Sequence, residues 1–432
     1  MPTLMTPNLV YGQYSQIFEK LYPNPKAQPE RWSSIINGFL NFYGNPIGNL
    51  RLFSAPGRVE IGGNHTDHQH GAVLAAAINL DTACAAAKTD NNKIRIKSVG
   101  HREDIIDLSD LDYMNQSEAN HASALIRGIC VGMQKNGWKI GSFDAFTSSD
   151  VKSASGLSSS AAFEIAVGTI ISHLYNDGKI PPLELAQIGQ FAENNFFGKP
   201  CGLMDQAASA FGGFVFFDFS DPSNTYCERI PFDFSASKHS LIIVHTGGGH
   251  GNLTGEFIAI AKEMTSVANM LGKSHLRYVA ETDFNLNISK ICEKLGDRAV
   301  LRAIHFFEEN RRALLEATAL KSGDIDTFKT LVNASGQSSF CYLQNLYVPN
   351  QPQLQPLSLA IALSDRILSP HGAFRVHGGG FAGTVLAVVP DYKLEEYISQ
   401  MSAVFGEKSC QLLSIRTCGG VEILPNHVPV TL

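Results

Sequence analysis

The sequence predicts an α+β protein with two lobes. Strand-like and helix-like segments follow one another along its 432 residues, and a chain of that length exceeds one ordinary hydrophobic core. With 44% hydrophobic and 17% charged residues, the composition is that of a globular protein with a large buried interior. We therefore expect an N-terminal extension over 1–48, a first lobe over 49–225 and a second lobe over 226–432.

The pattern of apolar residues predicts the individual elements. Helical spacing of apolar residues predicts helices, and alternating or β-branched runs bounded by turn residues predict strands. The predicted helices are 161–175, 183–195, 298–321 and 357–368. The predicted strands are 93–98, 214–219, 240–246 and 384–389.

Charge and cysteine usage narrow the class of protein. A formal net charge of −6 argues against bulk binding to nucleic acid or to an anionic membrane. The eight cysteines are irregularly spaced without a Cys-x-x-Cys pair, which favours reduced thiols. Residues 1–20 lack a signal-peptide pattern, and no apolar run reaches the roughly 18 residues of a membrane span. We expect a cytoplasmic location.

A small-residue loop at 153–162 (Ser-Ala-Ser-Gly-Leu-Ser-Ser-Ser-Ala-Ala) precedes the helix predicted at 161–175. The free N–H groups and the dipole of a helix N-terminus attract phosphate, and three serine hydroxyls add ligands for phosphate or metal. A plain serine cap is the structural alternative, although one serine would suffice for it. The spacing fits neither a Walker A motif nor the Gly-x-Ser-x-Gly elbow of serine hydrolases.

A polar, glycine-bounded turn lies at 55–71 (Ala-Pro-Gly-Arg-Val-Glu-Ile-Gly-Gly-Asn-His-Thr-Asp-His-Gln-His-Gly). Its density of donors and acceptors suits a hydroxyl-rich ligand. A metal site built from His65, Asp67, His68 and His70 is disfavoured, because the spacing matches no standard zinc arrangement. A solvated loop is the other alternative for this segment alone.

The third cluster consists of Glu193 and residues 200–209 (Pro-Cys-Gly-Leu-Met-Asp-Gln-Ala-Ala-Ser). Asp205 stands among apolar and small residues, which predicts partial burial, and a buried carboxylate is usually paired or functional. A helix cap or a structural ion pair is an equal alternative on this evidence.

Together the clusters resemble the GHMP superfamily of small-molecule kinases, and galactokinases most closely. The resemblance extends from about residue 50 to about residue 390. It covers the galactokinase sugar signature at 55–71, the phosphate loop at 154–161, the catalytic-aspartate segment at 201–206 and a third, glycine-rich motif at 377–383. Four matches in the expected order are more specific than any single one.

The resemblance implies a fold, an activity and a set of site residues. The fold would have an N-terminal lobe like the second domain of ribosomal protein S5 and a ferredoxin-like C-terminal lobe. The activity would be ATP-dependent phosphorylation of a galactose-type sugar, at the anomeric hydroxyl, with Mg²⁺ as cofactor. The implied residues are Asp205 and Arg58 for catalysis; Ala154, Ser155, Gly156, Leu157, Ser158, Ser159 and Ser160 for ATP; Asn64, His65, Thr66, Asp67 and Phe257 for the sugar; and Ser160 and Glu193 for the metal.

The chemistry of phosphoryl transfer agrees with this set. The reaction needs positioning and neutralisation of charge more than covalent help, and Mg²⁺ prefers hard oxygen ligands such as a hydroxyl and a carboxylate. Asp205 could accept the proton of the attacking hydroxyl. A neighbouring Arg58 would lower the pKa of that carboxyl, so a base and an electrostatic role both stay open.

Several positions depart from the galactokinase pattern. Asn64 stands where glutamate is usual, so we hypothesise that the site tolerates a different C6 group, such as the carboxylate of a uronic acid. Phe257 stands where a tyrosine is usual, and Ala154 replaces the first glycine of the phosphate loop.

Two alternatives to a kinase are a dinucleotide-binding protein and a non-catalytic binding protein. The string at 378–383 fits Gly-x-Gly-x-x-Gly, but a dinucleotide-binding turn must open a helix, and residues 384–389 predict a strand. The second rival is a non-catalytic, galactokinase-like sugar sensor. Retention of Ser160, Glu193 and Asp205 favours an enzyme over that sensor.

Overall fold

The computed structural model describes residues 5–111, 118, 120–152, 156–199, 201–247, 253–381 and 383–425. Helices and strands succeed one another along the chain, which confirms the α+β class. The helices are α1 Pro7–Leu21, α2 Gln28–Tyr43, α3 Ala122–Lys135, α4 Ser159–Tyr175, α5 Pro182–Ala192, α6 Met204–Phe211, α7 Thr254–Met270, α8 Glu281–Leu295, α9 Asp297–Lys321, α10 Ile325–Ser338, α11 Pro356–Leu368 and α12 Leu394–Phe405. The strands are β1 Arg51–Gly62, β2 Ala72–Lys88, β3 Lys93–Ser98, β4 Glu103–Asp107, β5 Phe143–Ser149, β6 Phe214–Asp218, β7 Tyr226–Ile230, β8 His239–His245, β9 Ala373–His377, β10 Thr384–Pro390, β11 Cys410–Leu413 and β12 Val421–Ile423.

The larger sheet has the strand order β12-β1-β2-β5-β3-β4, and β6 and β7 extend it from β2. The 17 residues of β2 make this possible, because its first half pairs with β6 and its second half with β5. Only the β3–β5 pair among these described strands is parallel. The long β1–β2 ribbon therefore carries the polar turn at its end on a rigid frame.

Both faces of this sheet are covered, which explains the continuous apolar character of β1 and β2. Helices α3 to α6 pack on one face in a core that includes Phe53, Ile165 and Ile170. Helices α1 and α2 cover part of the other face through Trp32 and Phe39. The predicted N-terminal extension is thus a helical pair seated on the sheet.

The smaller sheet is antiparallel, with the order β11-β8-β10-β9. Side chains of β8 alternate between two cores, as the two-residue period of a strand requires. Leu241 and Ile243 face the core that holds α9 and α10, and Ile242 and Val244 face α11 and α12. A helix layer therefore covers each face.

The structure confirms most predicted elements to within two residues. The exception is the helix predicted over 183–195, whose α-helical part ends at Ala192 and continues as a π-helical turn over Glu193–Phe197. Such wider turns are frequent at functional sites. Residues 384–389 form β10 rather than a helix, so the dinucleotide-binding rival lacks its required context.

The larger sheet includes two strands from beyond the lobe boundary predicted at residue 225. Strand β7 pairs with β6, and β12 pairs with β1, so both belong to the larger sheet although they follow residue 225. The boundaries at 48 and 225 stay predictions. The eight cysteines are all free thiols.

Helix α9 joins the two sheets and carries two buried glutamates of opposite character. Ala313, Ala317 and Leu320 pack in one core with strands of both sheets. Two turns apart on this helix, Glu309 and Glu316 are both fully buried. Glu309 accepts hydrogen bonds from the backbone of Gly63 and from Ser335, whereas neither carboxyl oxygen of Glu316 has a partner among the described residues.

The two carboxyl groups have opposite pKa shifts. Burial alone raises the pKa of both, but His305 and Arg312 beside Glu309 lower its pKa to about 2. For Glu316, burial and the charge of Glu309 hold the pKa well above its ordinary value. Glu309 is therefore ionised, and Glu316 is neutral over a wider pH range than a free glutamate.

We predict that Glu316→Gln stabilises the protein increasingly as the pH rises. A raised folded-state pKa means that wild-type stability is complete below the unfolded pKa of 4.5 and declines as pH rises toward the folded value. A glutamine is neutral at every pH, so the stability of the variant does not decline in this way. Thermal melts between about pH 5 and about pH 9 should show a gain that grows to about 1–3 °C.

Glu309→Gln is the matched control on the same helix. The folded-state pKa of Glu309 is lowered, so the stabilisation that its charged carboxylate provides is present above pH 4.5. This stabilisation is lost as the pH falls toward about 2. The substitution should therefore destabilise the protein at neutral pH and have less effect at low pH. Parallel behaviour of the two variants would contradict the assignment.

Candidate active site

A bidentate ion pair between Arg58 and Asp205 forms the centre of the site. Arg58 lies on β1, and Asp205 lies in the first turn of α6. The guanidinium Nε is 2.7 Å from Asp205 Oδ1, and its Nη2 is 2.8 Å from Oδ2. The hydroxyl of Ser158 donates a further hydrogen bond of 2.6 Å to Oδ2. Three donors therefore fix the orientation of this carboxylate.

These partners also set the charge of Asp205. Burial alone would raise the pKa of its carboxyl, but the charge and hydrogen bonds of Arg58, with the Ser158 hydroxyl, lower that pKa to about 2. The side chain retains 23% exposure, so a ligand can reach it. Asp205 is thus a permanently ionised acceptor with weak basicity in the unliganded protein.

The phosphate-loop segment is anchored to the same arginine. Of its predicted ATP ligands, Ala154 and Ser155 lie outside the described residues. The carbonyl oxygens of Gly156 and Leu157 accept hydrogen bonds from the side chain and the backbone of Arg58. Ser158 adopts a left-handed backbone with φ of 58°, an unfavourable conformation that turns its hydroxyl toward Asp205.

Ser159 and Ser160 begin helix α4 and line a cavity of about 510 Å³. Lys152, Arg102 and Asp104 also line this cavity. Two cationic side chains and the N-terminus of α4 together favour a polyanionic ligand despite the one carboxylate. The predicted ATP-binding serines therefore face a space with the charge that a triphosphate requires.

Ser160 and Glu193 come together across two elements. The Ser160 hydroxyl donates to Glu193 Oε1 at 3.2 Å, and Glu193 begins the π-helical turn after α5. Lys199 Nζ is 3.1 Å from the same carboxyl oxygen. A hydroxyl and a carboxylate at this separation are hard oxygen ligands that fit Mg²⁺. Lys199 is 60% exposed, so it is free to yield that position.

Sequence reasoning missed two residues behind Glu193. The Gln206 amide donates to Glu193 Oε2 at 2.8 Å and to Glu164 Oε2 at 2.9 Å. Burial and the charge of Glu193 hold the pKa of Glu164 well above its ordinary value. Gln206 thus orients the predicted metal ligand through a buried bridge. Glu164 was recognisable as the single acidic residue of α4, one turn after Ser160.

Two of the predicted sugar-binding residues face the protein interior. Asn64 is fully buried, and its amide donates to Glu60 and the Gly378 carbonyl while accepting from Asn345. Thr66 is also fully buried, with its hydroxyl bonded inside its own turn. Because their hydrogen-bonding capacity is used internally, this geometry argues against direct sugar contact by either residue. Asn64 therefore gives no support to a uronic-acid site.

His65 and Asp67, unlike Asn64 and Thr66, are partly exposed. The His65 ring donates from Nε2 to the Gly379 carbonyl at 3.0 Å, and burial lowers its pKa to about 4, so it is neutral at pH 7. Burial and the charge of Asp205 raise the pKa of Asp67 to about 7. Asp67 lines a cavity of about 310 Å³ with Cys201 and Gly202.

Phe257 lies on α7 and packs against the third glycine-rich segment. Its ring lies edge-on to Phe381, with centroids 5.7 Å apart, and occupies the space that a side chain at Gly379 would need. Because the Gly379 carbonyl binds His65, Phe257 is one residue removed from the polar turn. Phe257 thus contributes an apolar surface without a hydroxyl.

Other site classes find no support in the described residues. No group of three or more His, Cys, Asp or Glu side chains within the described ranges is arranged to hold a metal. None of the helices in the described part of the chain is both long and apolar enough to cross a bilayer.

Family models match the two segments that build this geometry. Residues 124–213 match the GHMP kinases N terminal domain, and residues 37–88 match the galactokinase galactose-binding signature. The first segment contains Ser160, Glu193 and Asp205, and the second contains Arg58 and Asp67. Residues 124–213 are therefore similar to the N terminal domain of GHMP kinases.

Solved structures show the same fold. Galactokinase from Lactococcus lactis, complexed with galactose, is similar with a TM-score of 0.76 and 22% identity over 89% of this chain and 98% of that one. Mevalonate kinase from Methanococcus jannaschii has a TM-score of 0.60 at 16% identity, covering 86% of this chain and 99% of that one. Phosphomevalonate kinase from Streptococcus pneumoniae has a TM-score of 0.58 at 11% identity, covering 87% of this chain and 100% of that one. The chain thus has the fold of these kinase structures, as the resemblance predicted.

We predict that Gly202→Ala displaces Asp67 and leaves the serine side of the site intact. A methyl group at position 202 would overlap with the Asp67 carboxyl, and Gly202 does not have a left-handed backbone that alanine would strain. A displacement of this size typically costs about ten- to a hundredfold in efficiency. The KM for sugar should rise, and the KM for ATP should not.

Gly48→Ala is the control, because a side chain there would meet nothing within 4 Å. That variant should match the wild type in both constants. Equal rises in the two KM values of Gly202→Ala would instead indicate general disruption of the site.

Proposed function

We propose that this protein is an ATP-dependent sugar kinase that phosphorylates a galactose-type sugar at its anomeric hydroxyl, giving a sugar 1-phosphate. The observation that carries the proposal is the convergence of two carboxylates with the phosphate-loop serines. Asp205 is bonded to Ser158, and Glu193 is bonded to Ser160, although each pair comes from distant parts of the chain. Nucleotide and acceptor positions would therefore adjoin one another.

In this proposal the cavity behind Ser159 and Ser160 holds the nucleotide. Backbone N–H groups at the start of α4 would bind phosphate oxygens, and Lys152 and Arg102 would neutralise their charge. Ser160 and Glu193 would hold Mg²⁺, which when bound neutralises charge on the phosphates. Gln206 would keep the Glu193 carboxylate in place for that task.

Asp205 and Arg58 would act on the acceptor hydroxyl. The Asp205 carboxylate accepts a hydrogen bond from the hydroxyl and orients it for attack. Because its pKa is about 2, it draws the proton fully only as phosphoryl transfer makes the hydroxyl acidic. Arg58 lies beside the developing negative charge and stabilises it. Orientation and electrostatics thus contribute more than ground-state basicity.

A neutral sugar is the substrate class that we favour. The galactokinase signature covers Asp67, whose partly exposed carboxyl is suited to accept hydrogen bonds from hydroxyl groups. A substrate carboxylate near Asp67 and Asp205 would meet like charge, which disfavours a uronic acid. Galactose, galacturonate and other free sugars compared side by side test this choice.

The decisive experiment measures ADP release with Mg-ATP and a panel of free sugars, followed by NMR of the product. Rapid turnover of galactose with phosphate on the anomeric oxygen supports the proposal. A strong preference for galacturonate would reassign the substrate. Binding of both sugar and ATP without turnover would indicate a galactokinase-like sensor instead.

We predict that Asp205→Asn lowers kcat by about 10²- to 10⁴-fold while nucleotide binding is retained. Asparagine keeps the size of the side chain but removes the charge that Arg58 pairs with. Calorimetric titration with a non-hydrolysable ATP analogue checks binding, and steady-state kinetics check kcat. A variant with wild-type kcat would exclude Asp205 from the reaction.

A further inference from the structure

Arg31 of helix α2 reaches from the N-terminal helical pair to the middle of β2 and to the end of β5. Its Nη1 lies 2.7 Å from Asp81 Oδ1 and 3.1 Å from Asp150 Oδ2. Its Nη2 donates to the backbone carbonyls of Asp81 at 3.1 Å and Ser148 at 3.3 Å. One guanidinium therefore bonds β2 and the segment that leaves β5.

The middle of β2 and the end of β5 contribute to the wall of the proposed nucleotide cavity. Thr82, Ser149 and Val151 line that cavity, and each is the immediate chain neighbour of a residue that Arg31 binds. The backbone N–H of Asp150 donates to the Asp81 carbonyl at 2.9 Å, which closes the junction. Val151 and Lys152 then lead directly into the serine loop. Movement at the Arg31 junction would therefore move the cavity wall.

The two carboxylates that Arg31 binds do not depend on it alone to balance their charge. Asp81 is fully buried and also accepts hydrogen bonds from Tyr22 at 2.6 Å and Arg416 at 3.2 Å, as well as from Ser54. Loss of Arg31 would leave Asp81 paired with a second arginine. Asp150 is 48% exposed, so its carboxylate would be hydrated after the loss. An uncompensated buried charge, which would strongly destabilise the fold, would therefore not arise.

We propose that the helical pair α1–α2 positions the nucleotide site, with Arg31 as the positioning residue. Trp32 and Phe39 pack the helix onto the sheet, and Arg31 transmits that fixed position to β2 at Asp81 and to residues 148–150. This inference rests on the proposed function, because it takes the serine-lined cavity as the ATP site. Ordering the wall before binding reduces the ordering cost of binding the nucleotide.

The test compares Arg31→Met with Arg51→Met in the full chain. Arg51 makes a similar ion pair on the same sheet, with its Nη2 2.5 Å from Glu422, but it does not line the cavity. Calorimetry with a non-hydrolysable ATP analogue should show about three- to tenfold weaker binding for Arg31→Met and none of that loss for Arg51→Met. The kcat and sugar KM of Arg31→Met should stay near wild type.

Asp150→Asn provides a second variant that removes one arm of the junction without touching the buried Asp81. It should weaken nucleotide binding less than Arg31→Met does. In the variant that combines both substitutions, the loss of binding free energy should be smaller than the sum of the two single losses. Equal losses in Arg31→Met and Arg51→Met, or unchanged binding in Arg31→Met, would overturn the inference. A wild type that binds no nucleotide would overturn the proposed function and this inference together.

Discussion

The pairing of Arg58 with Asp205 is the constraint on which the site depends. The arginine uses its side chain for the carboxylate and for the Gly156 carbonyl, and its backbone N–H for the Leu157 carbonyl. Strand β1, helix α6 and the loop before α4 are therefore placed by one residue. A lysine could not replace it, because a single ammonium lacks the planar fork that binds both oxygens and a third acceptor.

This constraint has a chemical consequence for Asp205. A carboxylate held by two guanidinium hydrogen bonds and a hydroxyl stays ionised at any physiological pH, so its negative charge is a permanent feature of the site. Burial, together with this same charge, raises the pKa of Asp67. The two aspartates are thereby separated in acidity, with one fixed as an anion and the other titrating near neutrality.

The polar turn after β1 divides its residues between structure and ligand binding. Asn64 and Thr66 point inward and use their hydrogen bonds to hold the turn and to join it to the opposite sheet. His65 and Asp67 remain partly exposed. Alternating roles of this kind let a short segment be rigid and still present polar atoms to a ligand.

Local pattern was sufficient to predict most elements and to single out the serine loop and Asp205 as candidates. The grouping of that loop with Glu193 and Asp205 in one site followed from the resemblance to GHMP kinases, and the structure brings these residues together. The internal role of Asn64 was not predictable, because its partners Gly378 and Asn345 are remote in sequence. The hydrogen bonds from Gln206 to Glu164 and Glu193 were not predictable either, because they form only when three helical segments pack together.

The absence of a side chain at Gly62 has an effect beyond its own strand. The Glu316 carboxyl fills the volume that a β-carbon at position 62 would occupy. The two positions therefore share a single space, although one lies at the end of a strand and the other near the end of a long helix. In the evolution of this fold, a larger residue at one position is compatible only with a smaller residue at the other, so the two should vary as a pair.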